Sequence, residues 1–129
     1  MNRKILITAS ILGLLSIVLG AFGAHGLKQM VSGESLVTFE TGVKYQMYHA
    51  LMLLFVGINK TLSIQKKRSI FILVILGVFF FSGSIYGLST NELTSFDFKK
   101  IALITPIGGL LLIAAWLVML TGFIKNKVE

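Results

Sequence analysis

Three stretches of this chain carry no charged residue over a length that can cross a lipid bilayer: 5–24, 69–89 and 101–124. The hydrocarbon core is roughly 30 Å thick, and an α-helix rises about 1.5 Å per residue, so about 20 apolar residues suffice. No soluble fold has use for three such runs in so short a chain. A fourth segment, 43–59, is less apolar and contains Lys44 and His49. It reads as a span because Lys44 sits at its end, from where a long side chain reaches the interface. Leaving it out would also carry the basic 60–68 segment across the membrane.

Composition agrees. Charged residues make up 13% of the chain, about half the usual share in a soluble protein, and hydrophobic residues make up 55%. Cysteine is absent, which excludes disulfides, thiolate metal sites and a thiol nucleophile. The net charge of +7 does not point to nucleic acid, because the basic residues lie between the apolar runs. Arg3, Lys4, Lys60, Lys66, Lys67, Arg68, Lys125 and Lys127 fall on one side; Lys28, Lys44, Lys99 and Lys100 fall on the other. Glu34, Glu40, Glu92 and Asp97 share the second side, and Glu129 the first. The positive-inside rule then places both termini in the cytoplasm. The expected fold is an all-α, antiparallel four-transmembrane-helix bundle, N-in and C-in, forming one membrane domain over 1–129. The first apolar run is longer than the 7–15-residue core of a signal peptide and is read as a retained span.

Between the first two spans, the 25–42 segment carries Leu36, Phe39 and Val43 at helical spacing. It is expected to lie at the interface as a helix or to extend the second span. Helix packing in lipid depends on close backbone approach. Gly13, Ser16 and Gly20, with Ala24 beyond, make one smooth face of the first span. Gly83 and Gly87 form GxxxG in the third, and Pro106, Gly108 and Gly109 mark the start of the fourth. These positions are expected to be packing positions, within the bundle or between copies.

Assigning depth from this topology brings polar residues together. His25 ends the first span; Tyr45, Gln46 and His49 occupy the outer half of the second; Ser82, Ser84 and Tyr86 that of the third; Thr105 that of the fourth. The inner halves are plainly apolar. Gln46 and His49 share one helix face, as do Tyr45 and His49. Polar groups facing lipid are costly, so these side chains should turn inward, where His49 could meet His25 and Thr105. The cluster reads either as a hydrogen-bonded knot that sets helix register or as a small binding site. Paired histidines also admit haem, and with Glu34 and Glu40 a metal, but two histidines near one interface make a thin ligand set. No acid lies within a span, and no nucleophile–base pattern, HExxH or phosphate loop is present.

Several motifs in order resemble the domain-of-unknown-function 423 family of small bacterial membrane proteins, related to the transmembrane protein 256 group. They are the Gly20–Leu27 run GAFGAHGL, the Tyr45–Leu51 run YQMYHAL, the Phe81–Tyr86 run FSGSIY, and Thr105–Gly109 with Trp116 downstream. Phe39 stands where family members often have Trp, so an aromatic residue is kept there. The resemblance implies a four-helix inner-membrane protein and brings no catalytic residues. The function expected is non-enzymatic: a multi-pass cell-membrane component, without a cofactor, that binds a lipid, a small molecule or a partner protein, with His25, Gln46, His49, Tyr86 and Thr105 lining the site. An oligomeric transporter or channel subunit, and a haem- or metal-bearing redox subunit, are the alternatives.

Overall fold

The computed structural model describes residues 1–93 and 102–126. Lys99, Lys100, Asp97, Lys127 and Glu129, which entered the charge count, lie outside the described residues. The described chain is helical throughout: α1 (Asn2–Ala24), a short 3-10 turn (Leu27–Gln29), α2 (Gly33–Ile58), α3 (Ile64–Ser89), a second 3-10 turn (Asn91–Leu93) and α4 (Ile104–Lys125). Three of the four long helices, α1, α3 and α4, are apolar enough as well as long enough to cross a membrane.

Helix α2 starts ten residues before the apolar segment that marks the second span. Ser32 caps it by accepting a hydrogen bond from the Ser35 amide, and Glu34 occupies the first turn, where the helix dipole favours an acid. The 25–42 segment is therefore mostly the first turns of α2, continuous with the rest of that helix. Its apolar stripe has a partner: Phe39 is buried against Gly23 of α1, at 3.0 Å from the position a Cβ would take. Helix α3 likewise starts early, at a Ser63 cap that accepts from the Lys66 amide. The basic 59–68 segment is thus a short loop followed by the first turn of a helix. Pro106 sits in the first turn of α4, where a missing backbone N–H costs nothing, so it marks the helix start without a kink.

The helices pack antiparallel, each chiefly against its neighbours in sequence: α1 on α2, α2 on α3, α3 on α4. Pairing of α1 with α4, which a closed square bundle needs, is not among the substantial contacts. The core runs along the α2–α3 centre line, where Leu53, Val56, Ile70 and Val74 are fully buried, with Ile5 and Ala9 from α1 and Leu112 and Ala115 from α4. The outward faces of α1 and α4 are apolar and exposed, as lipid-facing surfaces must be: Leu14, Ile17, Leu110 and Leu117 are examples.

Glycines set the tightest approaches, and they are not all those the GxxxG pattern suggests. A Cβ on Gly108 would lie 2.3 Å from the Phe81 amide nitrogen, so α4 touches the α3 backbone directly. Gly77 receives Leu112, Gly57 receives Leu6, and Gly42 receives the Tyr86 ring. Gly13 and Gly20 lie against α2 at ordinary contact distances, and Gly109 against the Phe81 ring. Gly83 has nothing within 4 Å and is exposed. Among the described residues nothing packs on it, because it lies on the opposite side of α3 from Gly108.

Candidate functional site

Polar side chains inside the helical layer join α2 to each of the other three helices. Gln46, 4% exposed, donates from Nε2 to the Leu12 carbonyl of α1 (2.9 Å) and accepts at Oε1 from the Tyr86 hydroxyl of α3 (2.6 Å). Ser82 of α3 donates to the Gly42 carbonyl (2.8 Å), an approach that only a glycine at 42 permits. His49, also 4% exposed, accepts at Nε2 from the indole N–H of Trp116 on α4 (3.1 Å). A fifth link, between Ser84 and Thr105 (2.5 Å), ties α3 to the first turn of α4. Ser16 is buried and returns its hydroxyl to the Leu12 carbonyl of its own helix (2.8 Å). Among the described residues, no buried side-chain nitrogen or oxygen is left without a partner.

The bonds to His49 fix its chemical form. Indole nitrogen can only donate, so Nε2 must be an acceptor; Nδ1 lies 2.7 Å from the Tyr45 carbonyl, which can only accept, so Nδ1 carries the proton. His49 is therefore the neutral Nδ1–H tautomer, with both ring nitrogens engaged. Haem or metal ligation would first have to break one of these bonds. Among the described residues there is no group of three or more His, Cys, Asp or Glu side chains able to hold a metal ion.

His25 does not join this network. It lies exposed in the turn after α1, lining an open depression with Lys28 and Gln29. Phe39 packs on Gly23, beside that turn, and His49 stands ten residues further along α2, about 15 Å deeper at 1.5 Å per residue. The early start of α2 is the cause. It lowers His49 towards the middle of the helices, so the network spreads from Ser84–Thr105 near one end to His49–Trp116 halfway along. The residue missing from the sequence-based set is Trp116. Its signal was present: an indole N–H within a span needs an acceptor, and His49 is the one imidazole inside a helix.

Two grooves flank the network on the membrane-facing sides. One lies between α2 and α4, with a volume of about 310 Å³, lined by Tyr45, His49, Phe81, Gly109, Ile113 and Trp116. Its walls are aromatic: Tyr45 packs on Phe81 at 5.1 Å, and Trp116 meets the His49 ring edge to face at 6.2 Å. The other, about 330 Å³, lies between α1 and α3, with Gln46, Ser82 and Tyr86 in its floor and leucines of α1 along its rim.

Comparison with known proteins agrees with the resemblance seen in the motifs. A family model described as "Protein of unknown function (DUF423)" matches residues 19–109, which hold most of the network. The chain belongs to the DUF423 family. A UPF0382 membrane protein of Staphylococcus haemolyticus is 40% identical over 95% of this chain and 97% of its own length. The UPF0382 inner membrane protein YgdD of Escherichia coli K12 is 34% identical over 98% of this chain and 93% of its own. No solved structure matches the chain. This DUF423 chain is thus an all-helical membrane protein, in contact with lipid, from a family of unknown function.

Proposed function

We propose that this DUF423 chain is one membrane domain over 1–129 with four spans and both termini in the cytoplasm, and that it works without catalysis, binding a lipid or other small amphiphile in the groove between α2 and α4. The fourth span is α2. Its polar residues do not count against it, because Gln46, His49 and Gly42 spend their polarity on bonds to α1, α3 and α4. A helix bonded to three neighbours needs less hydropathy than one facing lipid all round.

The observation that carries the binding reading is the aromatic wall of the α2–α4 groove, built over a fully hydrogen-bonded floor. With no hydrogen-bonding need of its own, the floor offers shape and ring faces to an apolar or amphipathic guest. Tyr45 and Trp116, 41% and 48% exposed, supply amphipathic rims. Native mass spectrometry of gently extracted protein tests it. Wild type should retain an amphiphile mass that Ile113→Trp, which fills the groove from an exposed position, does not retain. Equal retention by folded wild type and variant would remove the groove as the site.

A further inference from the structure

The end of the bundle that carries the N-termini of α1 and α3 holds a buried cation that, among the described residues, meets no carboxylate. Lys67, in the first turn of α3, is 4% exposed. Its ammonium carries three donors, and one is used, on the neutral Asn2 side chain of α1 (3.2 Å). Among the described residues no acid pairs with it. Glu34 and Glu40 lie in the first turns of α2, at the opposite end of the bundle, level with the end of α1. Among the described residues the charge around Lys67 has one sign: Lys66 and Arg68 flank it, and Arg3 and Lys4 follow Asn2. Lys66 is itself held across the α3–α4 contact by a bond to the Thr121 hydroxyl (3.1 Å).

The helix dipoles at this end are mixed: α1 and α3 present their positive N-termini, α2 and α4 their negative C-termini. Cations in the first turn of a helix face the positive end of the dipole, so the run Lys66–Lys67–Arg68 opposes α3 itself, and Lys4 opposes α1. No side chain caps the N-terminus of α1, which leaves its first amide groups pointing outward beside Asn2. A buried charge is tolerated when an opposite charge meets it, and lysine and arginine beside the uncapped N-terminus of α1 favour phosphate oxygens.

We infer that this end of the bundle binds the phosphate of an anionic phospholipid, with Lys67 as its buried anchor and Asn2, Arg3 and Arg68 around it. A lipid phosphate sits at the depth where apolar helix gives way to charged first turn, which is where Lys67 stands. The site is separate from the α2–α4 groove and does not depend on it.

The test is native mass spectrometry of the full chain in neutral detergent, with phosphatidylglycerol and phosphatidylcholine competing at equal concentration. Wild type should retain phosphatidylglycerol at least tenfold over phosphatidylcholine. Lys67→Met should reduce the preference to twofold or less, while Lys60→Gln, in the exposed loop, should keep it. Asn2→Asp, at an exposed position, gives Lys67 an internal carboxylate and should also reduce the preference; it carries the test if Lys67→Met does not fold. No preference in wild type, or an undiminished one in folded Lys67→Met or Asn2→Asp, would overturn the site. Thermal stabilisation by inorganic phosphate equal to that by phosphatidylglycerol would overturn the assignment to a lipid.

Discussion

Replacing Gly108 by alanine should be among the most damaging single-methyl changes in this chain. The added Cβ would fall 2.3 Å from the Phe81 nitrogen, 2.7 Å from the Phe80 carbonyl carbon and 2.8 Å from the Phe81 Cα. All three are backbone atoms, so no side chain can swing aside. Helix α4 must retreat from α3 by about 1 Å, and a gap of that size forfeits up to about half of each dispersion contact across it. The retreat would loosen Leu112 from Gly77 and stretch the Ser84–Thr105 bond, an interaction of about 0.6 kcal/mol on average in membrane helices. Together with overpacking strain, a loss of about 2 kcal/mol follows. Gly83→Ala is the matched control, because nothing lies within 4 Å of that position; it should be neutral or gain up to about 1 kcal/mol from helix propensity. Titration with sodium dodecyl sulfate, read by circular dichroism and by Trp116 fluorescence, measures both. Equal stability of Gly108→Ala and wild type, or equal damage from the two substitutions, would refute the direct backbone contact.

Other outcomes follow from the network. Trp116→Phe removes the donor to buried His49 and should cost about 1–2 kcal/mol in the same titration, with most of the loss absent when His49 is already Phe. Gln46→Leu breaks links to both α1 and α3 and should cost about 1–3 kcal/mol, whereas Tyr86→Phe removes one link and should cost less; the double variant should be less than additive. Trp116 is the chain's one tryptophan and is half exposed towards the groove, so phospholipids brominated near mid-chain should quench its emission more strongly than headgroup-soluble iodide does.

The apolar spans were legible because hydrocarbon tolerates so little charge that length and composition decide the matter. Segment 101–124 needed no further clue to yield α4. The long start of α2 was half legible: Leu36, Phe39 and Val43 announced a helix, but that it fuses with the span depends on Ser32 acting as a cap. That detail moved His49 away from His25, since register, not residue type, decides which levels meet. GxxxG in α3 left its partner open for a related reason. The pattern marks a smooth face without saying what covers it, and in α3 the face used by α4 holds Gly77 and the Phe80–Phe81 backbone. Trp116 escaped because its partner lies 67 residues away, a distance no local spacing rule can cross.

The central claim is that α2 crosses the membrane, which makes the chain a four-span protein with its polar residues turned inward. The absence of cysteine makes single-cysteine labelling direct. Met30→Cys, before α2, and Lys60→Cys, after it, should be labelled by a membrane-impermeant maleimide from opposite sides, Met30→Cys in intact cells and Lys60→Cys only after the membrane is opened. Labelling of both from the same side would mean that α2 does not cross, and the four-span account would fail.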